Sequence, residues 1–269
     1  NLFIFKVSFF ILIIFESVLA QSFQFEAEII ETNDNNYIVA SNNVVIKDVF
    51  GAKIFGDKVI LDKVNKIYTI SGNVTYEDKT SLIIINADKI IYNDINKIIN
   101  TEGPATLKKD NLYKIQSSDI EYNLIEKRIS SNKKTTIKDN LENKILIKNL
   151  NISLNDNLLI AEDVELVDKD LNTYIIKNIY YNFQKKKLIG KDVTVNRDNS
   201  LSNIDFLPRI KSRSLVIENE NLIFNKSVYT SCKKRDGCPP WLIQAEKVEH
   251  NKKEKLVKYK NAFLKLYDV

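Results

Sequence analysis

The chain has 269 residues, enough for one large all-β domain or two small ones, and its formal net charge is +5. Its lysines mostly stand beside acidic or amide residues at alternating positions, as on a solvated strand face, and basic runs such as Lys185–Lys187 are short. Because nucleic-acid binding favours clustered arginines interleaved with aromatic residues, the composition argues against a nucleic-acid partner.

Residues 1–20 have the pattern of an export signal. Lys6 precedes an apolar run from Val7 to Phe15, and small or branched residues lead up to Ala20. The alternative is a membrane anchor, but the run has only about half of the ~20 residues that a spanning helix needs. We therefore expect cleavage after Ala20 and a mature chain that begins at Gln21.

The two ends of the sequence carry their own expectations. The sequence contains no Met, so we expect the natural start to lie upstream of residue 1. The segment 261–269 has the pattern of a strand that stops without a turn signal, so we expect the natural chain to continue beyond it.

The rest of the chain is predicted to be a repeat of short strands. Apolar residues alternate with polar ones in bursts rich in Val, Ile, Tyr, Thr and Phe. A six-residue motif, clearest as Ala-Asp-Lys-Ile-Ile-Tyr at 87–92, recurs eight times, beginning at Ala27, Gly56, Ala87, Ser117, Ile147, Ile176, Ser212 and Ala245. The spacing is close to 30 residues, and each unit has a second strand-like half such as 68–76, 188–195 or 222–228. This pattern predicts about eight stacked strand–turn–strand units that share one interior, with turns at places such as 34–36 and 94–96.

The fourth and sixth positions of the motif should face the same side of the sheet, because side chains alternate along a strand. These positions form a predicted apolar lining: Val59, Leu61, Ile90, Tyr92, Ile120, Tyr122, Leu150, Ile152, Ile179, Tyr181, Leu215 and Ile217. A packed core explains such a lining as well as a ligand groove does. The hydroxyl groups of Tyr92, Tyr122 and Tyr181 are candidates for the rim of a groove, and stacking in a core explains these tyrosines equally well.

The C-terminal segment resembles a known family. Its Tyr229–Cys232, Pro239–Val248 and Lys258–Val269 stretches are similar to the signature region of the LptD (OstA) family of lipopolysaccharide-assembly proteins. The resemblance is strong over 229–269. Over the repeats from about residue 21 it is shared with the wider group of proteins that form the periplasmic lipopolysaccharide bridge.

The resemblance implies an all-β, open β-jellyroll over residues 21–269, on the periplasmic side of the outer membrane, with 229–269 leading toward an outer-membrane barrel that this sequence lacks. It implies a binding and transport module, and neither an enzyme nor a cofactor-dependent protein. Lipopolysaccharide would pass from a bridge protein, docked by β-strand augmentation at the Phe23–Ile30 edge, to the barrel and its lipoprotein partner. The acyl chains would lie on the apolar lining.

Two cysteines lie in the stretch that interrupts the regular spacing. An exported protein meets oxidising conditions, so Cys232 and Cys238 are expected to pair with each other. The resemblance implies another partner for Cys232, a cysteine of the absent barrel. A metal site is not expected, because His250 is the only histidine. Pro239, Pro240 and Trp241 are candidates for the seam between jellyroll and barrel, although Trp241 is equally well explained as an ordinary core residue.

The sequence is also compatible with two other functions. A stand-alone bridge or chaperone protein of the same jellyroll type would share the repeats, and a structural β-solenoid such as an adhesin segment would share the periodicity. An enzyme has the least support, because no nucleophile elbow, metal triad, phosphate loop or positioned acid pair is recognisable.

Overall fold

A computed structural model describes residues 23–33, 36–48, 51–196, 208–232 and 239–267. The predicted export signal at 1–20, residues 34–35 of one predicted turn and Cys238 lie outside the described residues. The described part of the chain forms a single sheet of twenty strands and confirms the predicted all-β fold.

The strands, numbered in chain order, are β1 Phe23–Glu26, β2 Ile29–Asn33, β3 Tyr37–Asp48, β4 Lys53–Asp62, β5 Ile67–Asp78, β6 Ile83–Asn93, β7 Ile98–Lys109, β8 Tyr113–Ser118, β9 Glu121–Asn123, β10 Arg128–Ser131, β11 Thr135–Asp139, β12 Lys144–Ile147, β13 Leu150–Ser153, β14 Leu158–Val167, β15 Thr173–Asn182, β16 Lys187–Asn196, β17 Arg209–Glu218, β18 Asn221–Thr230, β19 Trp241–Asn251 and β20 Leu256–Leu266. Some of these are two halves of one bent strand. β8 and β9 both pair with β7, and β12 and β13 both pair with β14.

The strands follow one another as an antiparallel meander. Every strand pairing between described residues is antiparallel, from β3 with β4 through to β19 with β20. The motif beginnings from Gly56 to Ala245 all fall near the middle of alternate bent strands, which confirms the predicted strand–turn–strand unit. The alternative of a β-solenoid does not fit, because β-helical repeats build parallel sheets.

Each strand bends near its middle. The pairing register shifts between Ser41 and Val44 and between Ser71 and Val74, as expected for β-bulges. Residues with positive φ occupy the bends of many strands: Asn42, Asn43, Gly72, Asn73, Gly103, Asp119, Asp163, Asp192, Lys226 and Asn261. The bends fold the sheet along a line across all its strands.

The fold line divides the sheet into two limbs that face each other. The first limb adjoins the turns at 63–66, 94–97, 124–127, 154–157, 183–186, 219–220 and 252–255, and the second adjoins those at 79–82, 110–112, 140–143 and 168–172. The ring centroids of Tyr76 on the second limb and Tyr122 on the first are 6.2 Å apart. Those of Tyr113 and Phe183, again one from each limb, are 4.3 Å apart. The core therefore lies between the limbs.

Side chains of Asp and Asn shape the turns. The Asn93 side-chain oxygen accepts hydrogen bonds from the backbone N–H groups of Ile95 and Asn96, and Asn123 does the same one repeat later. The backbone of successive first-limb turns is also linked, since the N–H of Asp94 donates to the carbonyl of Lys66 at 3.0 Å. The turns thus stack in a row along the edge of each limb.

The sheet does not close on itself within the described residues. β1 and β2 pair with β3 alone, and β20 pairs with β19 alone. Two strand edges are therefore presented, one at each end of the stack.

Among the described residues, no helix has the length and apolar character needed to cross a membrane.

Candidate binding interior

The twelve predicted lining residues share the inner face of the first limb. Eleven of them are buried and Ile217 is half-buried against the core. Ile90, Ile120 and Ile179 are completely shielded from solvent, within a core cluster to which both limbs contribute. The structure brings these residues together as a continuous apolar wall, while their role in lipid binding stays a prediction.

The opposite wall was not predicted from the sequence. The second limb contributes an equally apolar inner row: Ile54, Val74, Tyr76, Ile83, Ile85, Leu107, Tyr113, Ile115, Ile137, Ile145, Val164, Leu166, Tyr174, Ile176, Val193 and Val195. The sequence does contain a signal for this second inner row. In β6 the buried positions are Ile83, Ile85 and Ala87 before the bend and Ile90 and Tyr92 after it. This change of parity in the alternation marks a bulged strand that is buried on both sides of its bend.

Polar groups join the limbs where the two rows of turns meet, along what we call the seam. Near its middle, the Lys127 ammonium donates to the Ser81 hydroxyl at 3.2 Å, and the Tyr122 hydroxyl contacts the same oxygen at 3.4 Å. Further along, the Tyr181 hydroxyl donates to the Asp139 carboxylate of the opposite limb. These hydrogen bonds link the two limbs along the seam.

The predicted rim tyrosines reach the edges of the interior. The hydroxyl of Tyr92 donates to Asp94 at 3.1 Å, and those of Tyr122 and Tyr181 form the seam contacts. Burial, and then the nearby carboxylate of Asp94, raise the pKa of Tyr92 far above its usual value. Burial likewise raises the pKa of Tyr122 to about 12. These phenols therefore stay neutral hydrogen-bond donors at ordinary pH.

A network centred on Asp168 also links the two limbs across the seam. Its carboxylate accepts hydrogen bonds from the backbone N–H groups of Asp170 at 3.0 Å and Asn172 at 2.9 Å, and from the hydroxyl of Tyr174 at 3.0 Å. Lys252, from a first-limb turn, places its ammonium 2.7 Å from Asp168 and 3.0 Å from Asp170. We call this ion pair of Lys252 with Asp168 and Asp170 the latch.

The protonation states of the latch follow from its hydrogen bonds. Burial raises the pKa of Asp168, but hydrogen bonds from Lys252 and Asn172 outweigh burial and the net shift is downward. Burial lowers the pKa of Lys252, but its bonds to Asp168 and Asp170 outweigh that effect and the net shift is upward. Both partners are therefore charged at neutral pH.

The inner row continues onto β20 without cover. Tyr259 pairs with the buried Val248, and Leu264 lies two positions beyond Ala262, the partner of the buried Ala245, so all share the inner face. Yet Tyr259 is 46% exposed and Leu264 is 62% exposed. At the other end of the stack Ile30, opposite the buried Ala40, is 54% exposed. The apolar interior thus reaches solvent at both strand edges.

The interior also contains polar atoms without partners. Within the described residues, the buried hydroxyl groups of Tyr76 and Tyr113 make no hydrogen bond to the protein. An unsatisfied buried polar group costs roughly 1–3 kcal/mol. The packing of the limbs on each other therefore leaves hydrogen-bonding capacity unused.

Cys232 follows the end of β18, and the three candidate barrel-seam residues, Pro239, Pro240 and Trp241, lie at the start of β19. Cys232 is buried, with its sulfur 3.8 Å from the carbonyl oxygen of Trp241. Trp241 is half-buried and lies 6.1 Å from the ring of Tyr229, and the carbonyl of Pro240 accepts a hydrogen bond from the backbone of Tyr267. The pairing with Cys238 stays a prediction, as do the roles of Pro239, Pro240 and Trp241 at a barrel seam.

Comparison with known proteins finds similar chains among the solved structures. No protein-family model and no curated protein matches the chain. Among solved structures, the chain is similar to LptH from Pseudomonas aeruginosa, a periplasmic component of the lipopolysaccharide transport device and a homologue of LptA. The match has 13% identity, covers 52% of this chain and 81% of LptH, and has a TM-score of 0.23. A similarity at this level carries no argument about function.

Proposed function

We propose that the protein carries the acyl chains of lipopolysaccharide between the two limbs of its folded sheet, in the periplasm and toward the outer membrane. The proposal rests on one observation above all: the apolar inner face runs in register through the whole stack and reaches solvent at both strand edges. Residues 229–269, which resemble the LptD family, support the choice of cargo and destination.

The length of the inner face suits a lipid with several chains. Each buried methylene contributes about 0.8 kcal/mol, so a long lipid needs a long apolar surface to leave water. Equivalent sites at every repeat, such as those at Ile90, Ile120 and Ile179, would let a chain move along the stack without crossing water. The unpaired hydroxyl groups of Tyr76 and Tyr113 could then donate to polar groups of the lipid.

The limbs must separate for this function. In the structure they pack directly on each other, and their separation would expose both apolar walls. Lipid chains would replace the contacts between the walls, so the apolar surface would stay covered. The polar seam is then the part of the protein that opens.

The strand edges support a second part of the proposal. β1 and β2 at one end and β20 at the other each have one unpaired edge within the described residues. We infer that a bridge protein extends the sheet by β-augmentation at the edge formed by β1 and β2. An outer-membrane partner would then lie next to the edge formed by β20. A stand-alone bridge protein would use the same geometry, and the reading frame beyond codon 269 distinguishes it from a domain that continues into the outer membrane.

Photo-crosslinking in cells tests the proposal. A crosslinker at Tyr92, Ile120 or Ile179 should capture lipopolysaccharide, because these side chains face the interior. The matched controls Lys89 and Glu121 are outward positions and should not. Capture at the outward positions alone would show that the interior is not the lipid path.

A further inference from the structure

Four lysines form a row on the outer face of the second limb, which we call the lysine row. Lys108 of β7 is directly opposite Lys114 of β8. Lys114 is in turn opposite Lys138 of β11, and Lys138 is opposite Lys144 of β12. All four side chains are exposed. The residue that precedes or follows each of them on the inner face is buried: Leu107, Ile115, Ile137 and Ile145.

Such a row does not help the sheet to form, because like charges directly opposite each other on neighbouring strands are destabilising. Elsewhere the chain places a glutamate opposite an exposed lysine. Lys89 is opposite Glu102 and contacts it at 2.7 Å. Lys187 is opposite Glu218 and contacts it at 3.2 Å. The lysine row departs from this pattern over four consecutive strands.

Opposed lysines elsewhere in the described sheet have a carboxylate partner. Lys47 is opposite Lys53, and its ammonium group pairs with Glu26. Lys247 is opposite Lys260, and its ammonium group pairs with Glu249. Within the described part of the chain, the four ammonium groups of the lysine row form neither an ion pair nor a side-chain hydrogen bond. Their charges are therefore available to a partner.

The surroundings of the lysine row are neutral on the same strands. The next outward positions hold no charge: Thr106, Gln116, Thr136 and Leu146. Asp139, beside Lys138 in the chain, is buried on the inner side. Carboxylates return to the outer face only beyond the ends of the row, at Glu77 opposite Ile84 and at Glu165 opposite Leu146. The row is thus a bounded cationic surface.

Exposed apolar side chains adjoin one end of the lysine row. Ile84 of β6 is directly opposite Lys108 and is 39% exposed. Leu82, in the turn that precedes β6, is 53% exposed. The surface therefore combines cations without counter-charges and apolar groups that would gain by leaving water.

The dimensions of this surface indicate its partner. Neighbouring strands are about 4.8 Å apart, so the four lysines span about 14 Å, more than a single phosphate or carboxylate can contact. A row of this length suits several anionic groups that lie side by side on one surface. At anionic membranes, lysines lie near the lipid headgroups and apolar side chains enter the boundary with the acyl chains. Both kinds of side chain are present on this surface.

We propose that the lysine row docks the outer face of the second limb on an anionic phospholipid bilayer, with Ile84 in the headgroup region. The inference goes beyond the proposed transport function, because it concerns the outer face and needs no lipid between the limbs. Each lysine of the row is within two residues of a second-limb turn, so docking would hold the seam beside the bilayer.

Co-sedimentation of the purified chain with vesicles that lack lipopolysaccharide tests the inference. Vesicles of phosphatidylethanolamine with phosphatidylglycerol should bind the chain at least about 100-fold more tightly than vesicles of phosphatidylcholine, because each lysine near an anionic surface contributes about fivefold. Binding should be lost at about 0.5 M salt, where charges are screened. Equal binding to the two kinds of vesicle would overturn the proposal.

A pair of substitutions locates the surface. Lys114→Gln with Lys138→Gln should weaken binding about 30-fold, since two lysines are lost. The matched control is Lys58→Gln with Lys191→Gln, which changes the net charge equally. Both control lysines are exposed on strands and opposite neutral residues. Equal losses in the two double variants would show that net charge, and not the row, attracts the bilayer.

The apolar contact has a test of its own. Ile84→Thr should weaken vesicle binding about fivefold, because less apolar surface leaves water. The matched control is Ile189→Thr, since Ile189 is 45% exposed on the outer face of the first limb. A larger loss at Ile189 than at Ile84 would place the bilayer on the other limb and contradict the proposal. Binding of soluble polyglutamate as tightly as the anionic vesicles would also overturn it, in favour of an acidic protein.

Discussion

The latch gives the sharpest prediction about stability. Replacing Lys252 by Met leaves the Asp168 carboxylate 7% exposed and without its cation. Loss of one partner of a fully buried ion pair costs about 3–5 kcal/mol, whereas an exposed pair is worth about 0–1 kcal/mol. The Lys252 side chain is 21% exposed, and Asp168 keeps its bonds from Tyr174 and from backbone N–H groups. We therefore expect a loss of about 2 kcal/mol, between these two limits.

A double-mutant cycle isolates the ion pair. Lys252→Met, Asp168→Asn and the double variant are compared with the natural chain by urea denaturation, and a coupling energy of at least about 1 kcal/mol is expected. Repeat proteins can unfold in parts, so hydrogen exchange of the 168–172 turn should be measured as well. Lys253→Met is the matched control, because Lys253 is exposed in the same turn. A coupling energy near zero, or equal losses at positions 252 and 253, would refute the latch.

The pH dependence of the latch has a definite sign. The lowered pKa of Asp168 means that its contribution is present above the ordinary Asp value, near 3.9, and is lost as the pH falls through the lowered pKa. The raised pKa of Lys252 means that its contribution is present below the ordinary Lys value, near 10.4, and is lost as the pH rises through the raised pKa. The stability difference between the natural chain and Lys252→Met should therefore be constant between about pH 5 and 9, and shrink on either side.

Three further predictions concern the core, a bend and the cysteines. Phe183→Ala should destabilise the protein by about 3–5 kcal/mol in urea denaturation, because its ring packs between the limbs; a loss below 1 kcal/mol would mean that the limbs are not in contact. Gly72→Ala should cost at least about 1 kcal/mol in thermal denaturation, because φ is +82° and the new Cβ would lie 2.8 Å from the Cβ of Asp57; an unchanged midpoint would contradict this bend. Non-reducing mass mapping of the exported chain should find Cys232 linked to Cys238 and no free thiol, whereas two free thiols or a linked dimer would disprove the pairing.

The strands and repeats could be predicted because each repeat has the same local chemistry. Alternation identified one inner row, and the spacing near 30 residues identified the unit. The bends were harder to predict, because Asp163, Asp192 and Lys226 adopt positive φ without a glycine to mark them. The parity change between Ala87 and Ile90 was the available signal.

The seam could not be predicted from the sequence. Lys252 and Asp168 are 84 residues apart, and their contact depends on how the sheet folds along its bends. Such long-range juxtaposition has no periodic signature.

The central claim is that acyl chains lie between the limbs. The most direct measurement uses the purified chain and purified lipopolysaccharide, with a photo-crosslinker at Ile120 or at its outward neighbour Glu121. We predict saturable labelling at Ile120, which lipid A competes away and the delipidated oligosaccharide does not. Equal labelling at Glu121, or competition by the oligosaccharide alone, would contradict a lipid-carrying interior.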